Sequence, residues 1–135
     1  MRSLPKSANS LLVRSARRGS AEWKLLLAAV GSENDDGFRA YVDAVDSRRW
    51  YGEDVRVLRA AMPPTDASVL FVADDIAVAT PDFPILVVDL RDGRPPFRCI
   101  AAELWAVDNN LNVSNMDWED FADAVDQNGV YRGLI

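Results

Sequence analysis

Histidine is absent from this 135-residue chain, cysteine occurs once and lysine twice. Without imidazole, Ser-His and Cys-His nucleophile pairs and His-ligated zinc sites are excluded. One cysteine, Cys99, allows no internal disulfide and cannot build a thiolate zinc site. In Phe-Arg-Cys-Ile it reads as a small buried hydrophobe. The only lysines are Lys6 and Lys24, and no glycine-rich phosphate loop accompanies them, so nucleotide chemistry lacks its usual cations. The longest apolar runs, such as Leu25 to Val30, are far too short to span a bilayer.

Hydrophobic residues make up 49% of the chain and include four Trp, five Phe and three Tyr, enough for the core of one domain. The net charge of −6 conceals an asymmetry. Residues 1–20 carry Arg2, Lys6, Arg14, Arg17 and Arg18 and no acid; the other 115 residues carry 21 acids and 10 bases. An acidic body does not suit a nucleic-acid backbone, which is bound by cationic neutralisation. It suits solubility or a basic partner. The basic, serine-rich start has the flavour of a transit peptide, but Leu11-Leu12-Val13 is no secretory core and no apolar stretch follows Arg17-Arg18. Residues 1–10 are therefore expected to form a flexible basic tail and residues 11–135 one cytoplasmic domain.

Patterning predicts the elements. Ser10 to Arg14 reads as a strand. Ser20 to Val30 reads as a helix with Ser20 as N-cap, Trp23, Leu26, Leu27 and Val30 on one face, and Gly31 at C′. Ser32 to Gly37 is a turn and Phe38 to Asp43 a second strand. Arg48 to Met62 reads as a helix, weakened by Gly52 and stopped by Pro63-Pro64. Ser68 to Ala73 and Ile85 to Leu90 are continuous and apolar, as in strands covered on both faces. Asp92 to Pro96 turns the chain into a strand at Phe97 to Ile100, antiparallel to the one before. Helices follow over Glu103 to Leu111 and Trp118 to Asp126, then an ordered tail at Val130 to Gly133. The order β-α-β-α-β-β-β-α-α implies a single α/β domain with a mixed sheet of about five strands and helices packed on it.

Several stretches together resemble an uncharacterised family of small, mostly actinobacterial proteins built on a domain of unknown function. They are Leu70 to Asp74, Ile85 to Leu90, Glu103-Leu104-Trp105, Asn109-Asn110-Leu111, Asn115-Met116-Asp117, Phe121-Ala122 and Gly129 to Gly133. The likeness runs from about Leu11 to the end and is most specific in the last third. It implies a bacterial, cytoplasmic protein and brings no activity with it. The chain departs from the family in carrying Arg17-Arg18 where members usually show acids.

Four constellations are candidates for chemistry. Asp43, Asp74, Asp75 and Asp89 fall at strand ends; on parallel strands they would gather at one sheet edge, hold Mg²⁺ through oxygen ligands and support phosphoryl chemistry. Aspartates also end strands simply because they favour turns and caps. Asn109, Asn110, Asn112 and Asn115 could read a peptide backbone or a small polar ligand, or satisfy the ends of two helices. Glu119, Asp120, Asp123 and Asp126 line the outer face of the last helix, which suits docking on a basic protein or a solvated surface. Trp50 and Tyr51 follow two arginines as a possible interface anchor, against folding inward onto the sheet. The leading expectation is a non-enzymatic protein-binding module, of the kind used as an immunity or accessory protein beside a toxin or effector. Its rivals are a Mg²⁺-dependent enzyme or ligand-binding domain on the strand-end aspartates, and a homo-oligomer with Trp50 and Tyr51 at the interface.

Overall fold

The structure is a computed structural model that describes residues 2–133. One mixed sheet of six strands runs in the order β2-β1-β3-β4-β5-β6. The strands are β1 (Ser10–Arg14), β2 (Val42–Val45), β3 (Val69–Ala73), β4 (Pro84–Asp89), β5 (Phe97–Ile100) and β6 (Val130–Tyr131). The helices are α1 (Ser20–Gly31), α2 (Val55–Ala60), α3 (Asp75–Ala79), α4 (Leu104–Asn112) and α5 (Trp118–Ala122). β1 is parallel to both β2 and β3. β3, β4 and β5 alternate in direction, and β6 returns parallel to β5.

β1 has β2 on one side and β3 on the other, so the chain leaves β1 in one direction and comes back past it in the other. One crossover hand for both moves requires helices on opposite faces. α1 accordingly covers one face and α2 the other. Strand residues alternate between these faces. Leu12, Phe71, Val87 and Cys99 pack beneath Trp23 and Leu26 of α1, Leu104 and Val107 of α4, and Trp118 and Phe121 of α5. Leu11, Val13, Leu70, Val72 and Val88 pack beneath Leu4, Trp50 and Leu58. The continuous apolar reading of β3 and β4 follows from this two-sided cover.

The structure adds a short helix, α3, between β3 and β4. It differs from the sequence reading at several further places, each with a local cause. The second strand begins at Val42 rather than Phe38. Phe38 instead stacks on Trp105 with ring centroids 5.0 Å apart, and the Tyr41 N–H donates to Asp108. The helix expected over Arg48 to Met62 is broken into a 3-10 turn at Arg48–Trp50 and the six residues of α2. Gly52 is the reason: its φ is +76°, its N–H donates to the Ser15 carbonyl, and a Cβ there would lie 2.3 Å from Arg17 Nε. The chain restarts at Asp54, whose carboxylate accepts the Arg56 N–H at 2.7 Å. At α1, Gly19 rather than Ser20 holds the capping position, with φ +84° and no capping side chain. The last helix stops at Ala122 because Asp126 turns the chain, accepting the N–H groups of Asn128 and Val130, and Val130–Tyr131 then add a sixth strand. Finally, residues 2–9, expected as a tail, lie against the domain. Leu4 is 2% exposed and its N–H donates to Ala61 O at 2.9 Å, while Arg2 lies over the Trp50 ring.

Candidate functional site

The strand-end aspartates do not meet. β4 runs antiparallel to β3, so Asp89 pairs with Val69 at the amino end of β3, whereas Asp74 and Asp75 follow its carboxyl end. Five residues of β3 separate those rows, about 17 Å. Asp43 lies on β2, three strands from Asp89, about 14 Å away at sheet spacing. No group of three acid or thiol side chains among the described residues is placed to hold a metal ion.

Each of these carboxylates has a local task instead. Asp74 caps α3 by accepting the Ala77 N–H, and it receives both terminal nitrogens of Arg98, at 2.9 and 2.7 Å. Asp75 accepts the Arg17 N–H at 2.8 Å. Asp89 is buried and takes Arg94 Nε and three backbone N–H groups. An opening of about 710 Å³ lies at the carboxyl ends of β1 and β3 between Arg17, Arg18, Glu22 and Asp75. Open α/β sheets hold ligands in that crevice, but here Glu22 and Asp75 set negative charge beside its two arginines.

The acidic face of α5 is similarly engaged. Asp120 accepts the Asp117 N–H at 2.7 Å and closes the first turn. Glu119 pairs with Arg94 at 2.8 Å. Asp126 pairs with Arg132 at 2.9 Å, and that guanidinium, with two backbone N–H groups, holds its carboxyl below the usual range. Asp123 alone of the four makes no ion pair or side-chain hydrogen bond among the described residues. Trp50 is buried rather than displayed, and Tyr51 turns its hydroxyl to Asp46 with Arg14 over its ring.

The asparagine group divides. Asn110 donates to the Ala106 carbonyl and Asn115 to Asn110. Asn112 joins three elements: it accepts the Ser68 N–H and donates to Ser10 Oγ and Asp108 Oδ1. Asp108, which the sequence reading passed over, is 4% exposed and accepts the Tyr41 N–H at 3.0 Å. Burial pushes its carboxyl up from the usual range, opposed by the bonds from Tyr41, Asn112 and Ser10. The signal was present, since Asp108 stands four residues after Leu104, inside the apolar stripe of α4.

These groups border the margin of the sheet formed by β2. On that margin Asp43 and Ala44 are exposed, as are Phe38 and Tyr41 in the segment that leads into β2. The Ser7 hydroxyl donates to Asp43. The loop leading in from α1 adds exposed Glu33, Asp35 and Asp36, organised by Asn34 Oδ1, which accepts the N–H groups of Asp36 and Phe38. A cleft of about 300 Å³ opens between Tyr41, Asp66, Asp108 and Asn109.

With this geometry in place, comparison with known proteins decides the lineage. A family model described as a domain of unknown function, DUF6924, matches residues 9–134. The chain belongs to the DUF6924 family. No curated protein matches it. The DUF6924 match spans every strand and helix of the sheet.

Cys99 carries no accessible chemistry in this DUF6924 domain. It is fully buried on β5, and burial pushes its thiol far above the ordinary range. A native sample is expected to leave Cys99 unmodified by a thiol-reactive dye at pH 8 over an hour, and to label fully in denaturant. Rapid native labelling would contradict the packing described for β5.

Proposed function

We propose that this DUF6924 protein is a non-enzymatic protein-binding module that takes an extended, basic segment of a partner protein along the open edge of β2. The observation that carries the reading is the contrast between the two edges of its sheet. The β6 edge is two residues long, buried, and fenced by Arg132 paired to Asp82 and Asp126. That is how sheets discourage pairing with other chains. The β2 edge has four residues, two of them exposed, and the exposed Phe38 and Tyr41 lead into it. A strand added there would gain main-chain hydrogen bonds, with Phe38 and Tyr41 offering side-chain contacts.

Charge selects the occupant. Asp43 and the acids of the preceding loop favour a cationic segment and steer its approach. They disfavour a second copy of this chain, which would set like charges against like across the new strand pair. The acidic surface of α5 and the turn after it is poorer, because three of the four carboxylates Glu119, Asp120, Asp123 and Asp126 already serve the fold. A bacterial cytoplasmic accessory or immunity protein held against a basic partner is the setting that such an edge fits.

Site-specific photo-crosslinking in the native host tests this. A crosslinking side chain at Ala44 is expected to trap one protein through a Lys/Arg-rich segment, and the same group at Asp123 to trap nothing. A synthetic peptide of that segment should bind the purified protein and lose about tenfold in affinity when Phe38 and Tyr41 are both changed to alanine. Crosslinks to a second copy only, identical products from Asp123, or no product from Ala44 would each overturn the proposal.

A further inference from the structure

We infer that the segment docked on β2 alternates, with a lysine or arginine opposite Asp43 and apolar side chains opposite Val42 and Ala44. This inference deepens the docking reading and rests on it for the existence of a partner; the alternation is argued from the two faces of the edge strand.

Among the described residues β2 ends the sheet and pairs only with β1. Its outer main-chain groups are open to one more strand. In such a pair, residues that stand opposite each other share a face, and successive residues change face. The register with β1 assigns the faces. Ala44 pairs with Leu12, which lies in the core layer under α1. Asp43 pairs with Leu11, which lies in the layer under Leu4, Trp50 and Leu58. Val42 and Ala44 therefore belong to the α1 face of the edge, and Asp43 to the opposite face.

The two faces differ in chemistry. On the α1 face a groove of about 250 Å³ lies between Leu27 and Val30 of α1 and Val42 and Ala44 of β2. Leu27 and Val42 are only partly buried and Ala44 is exposed, so an apolar side chain laid there removes apolar surface from water on both walls. The one charged residue lining the groove is Arg39, whose guanidinium lies over the Tyr41 ring at 4.9 Å. A cation from the partner would meet it as a like charge. On the opposite face Asp43 is exposed, accepts from the Ser7 hydroxyl and makes no ion pair among the described residues. The next carboxylate along, Asp46, is occupied by Arg14 and the Tyr51 hydroxyl. A cation opposite Asp43 gains an opposite-charge cross-strand pair. A uniformly basic segment would forfeit the groove, and a uniformly apolar one would leave Asp43 without a counter-charge.

NMR titration of the purified full chain with capped heptapeptides tests the pattern without the native partner. Acetyl-Lys-Val-Lys-Val-Lys-Val-Lys-amide is expected to bind in the millimolar range and to shift the backbone amides of β2 and the methyl groups of Leu27 and Val30. A peptide of the same composition in blocks, three valines then four lysines, should bind roughly tenfold more weakly, as should the alternating peptide with serine for valine. N-methylation should abolish binding on one alternate set of residues and spare it on the other, because only every second amide faces β2. Asp43→Lys should cut the preference for the lysine peptide over its glutamate counterpart about tenfold, and its retained binding of the glutamate peptide shows that the edge is intact. Equal affinity for the alternating and block peptides, no loss with serine, equal effects of the two N-methyl sets, shifts that map away from β2 and α1, or an unchanged charge preference in Asp43→Lys would each overturn the inference. If the alternating peptide binds as described but Ala44 traps no protein in the host, the docking reading falls and the preference of the edge stands. If Ala44 traps a basic segment that lacks the alternation, the preference falls and the docking reading stands.

Discussion

Trp50→Ala is expected to destabilise the protein by about 3–5 kcal/mol, the range for removing a large aromatic side chain from a core. Trp50 is 2% exposed and stands at the centre of the smaller core layer, with Leu4, Leu58 and the inner residues of β1 and β3 around it. That layer holds few large groups, so no neighbour is placed to refill the space. A domain of this size has a total stability of about 5–15 kcal/mol, so the loss is a large share of it. Urea denaturation at neutral pH measures it, with Tyr51→Phe as the contrast. Tyr51 is partly exposed and gives its hydroxyl to the exposed Asp46, so that change should cost about 1 kcal/mol or less. Similar small losses for both variants would mean that Trp50 faces outward after all, as an anchor for a second chain.

Trp50 also shows where the sequence was legible and where it was not. Elements whose periodicity is set by two-sided burial appear at their expected places: β1 matches residue for residue, and β3, β4 and β5 lie within a residue or two. α1 and α4 carry clean stripes and also appear as expected. The expected helix over Arg48 to Met62 failed because its stripe was real but its backbone was not free to follow it. Gly52 must take a left-handed φ to bring Arg17 and Ser15 alongside, a contact between segments 35 or more residues apart. Local patterning carries no trace of such a contact. The same holds for residues 2–9, whose placement follows from Leu4 packing against α2 and the sheet.

Residue type marked the candidate sites, and the fold decides what those residues touch. Exposed acids flank β2 and its entry loop as well as α5, and the proposed docking edge uses the former. A helical charge run reads the same in sequence whether its members face solvent or serve caps and ion pairs. Asp120, Glu119 and Asp126 are spent on the Asp117 N–H, on Arg94 and on Arg132, and two of those three partners lie outside the helix and its cap. The direction of β4 was equally hidden, and it decides whether Asp89 joins Asp74. An apolar run of six residues has no polarity of its own; here the short turn from α3 into β4 makes it antiparallel.

Asp89→Ala is expected to cost about 2–4 kcal/mol at neutral pH, because it strands several buried donors at once. Asp89 is 2% exposed and accepts from Arg94 Nε at 2.8 Å and from the N–H groups of Arg91, Asp92 and Arg94. Arg94 in turn reaches Glu119 and lies over Trp118, so the carboxylate ties the β4–β5 turn to α5. Burial pushes the Asp89 carboxyl up, but the Arg94 guanidinium and the three N–H groups outweigh it and hold it below the usual range. A carboxyl lowered by folding contributes stability that is fully present above its unfolded value, about 3.9, and is lost as pH falls through the lower folded value. The gap between the wild type and Asp89→Ala should therefore hold from pH 7 to about pH 5 and narrow below about pH 4. Asp89→Asn should fall between the two, since it keeps an acceptor for part of the turn but gives Arg94 no charge. Denaturant titrations across that pH range decide the matter: a gap that stays constant down to pH 3 would show that the ion pair and its N–H bonds do not hold the turn, and would return α5 to the candidates for a mobile, partner-facing surface.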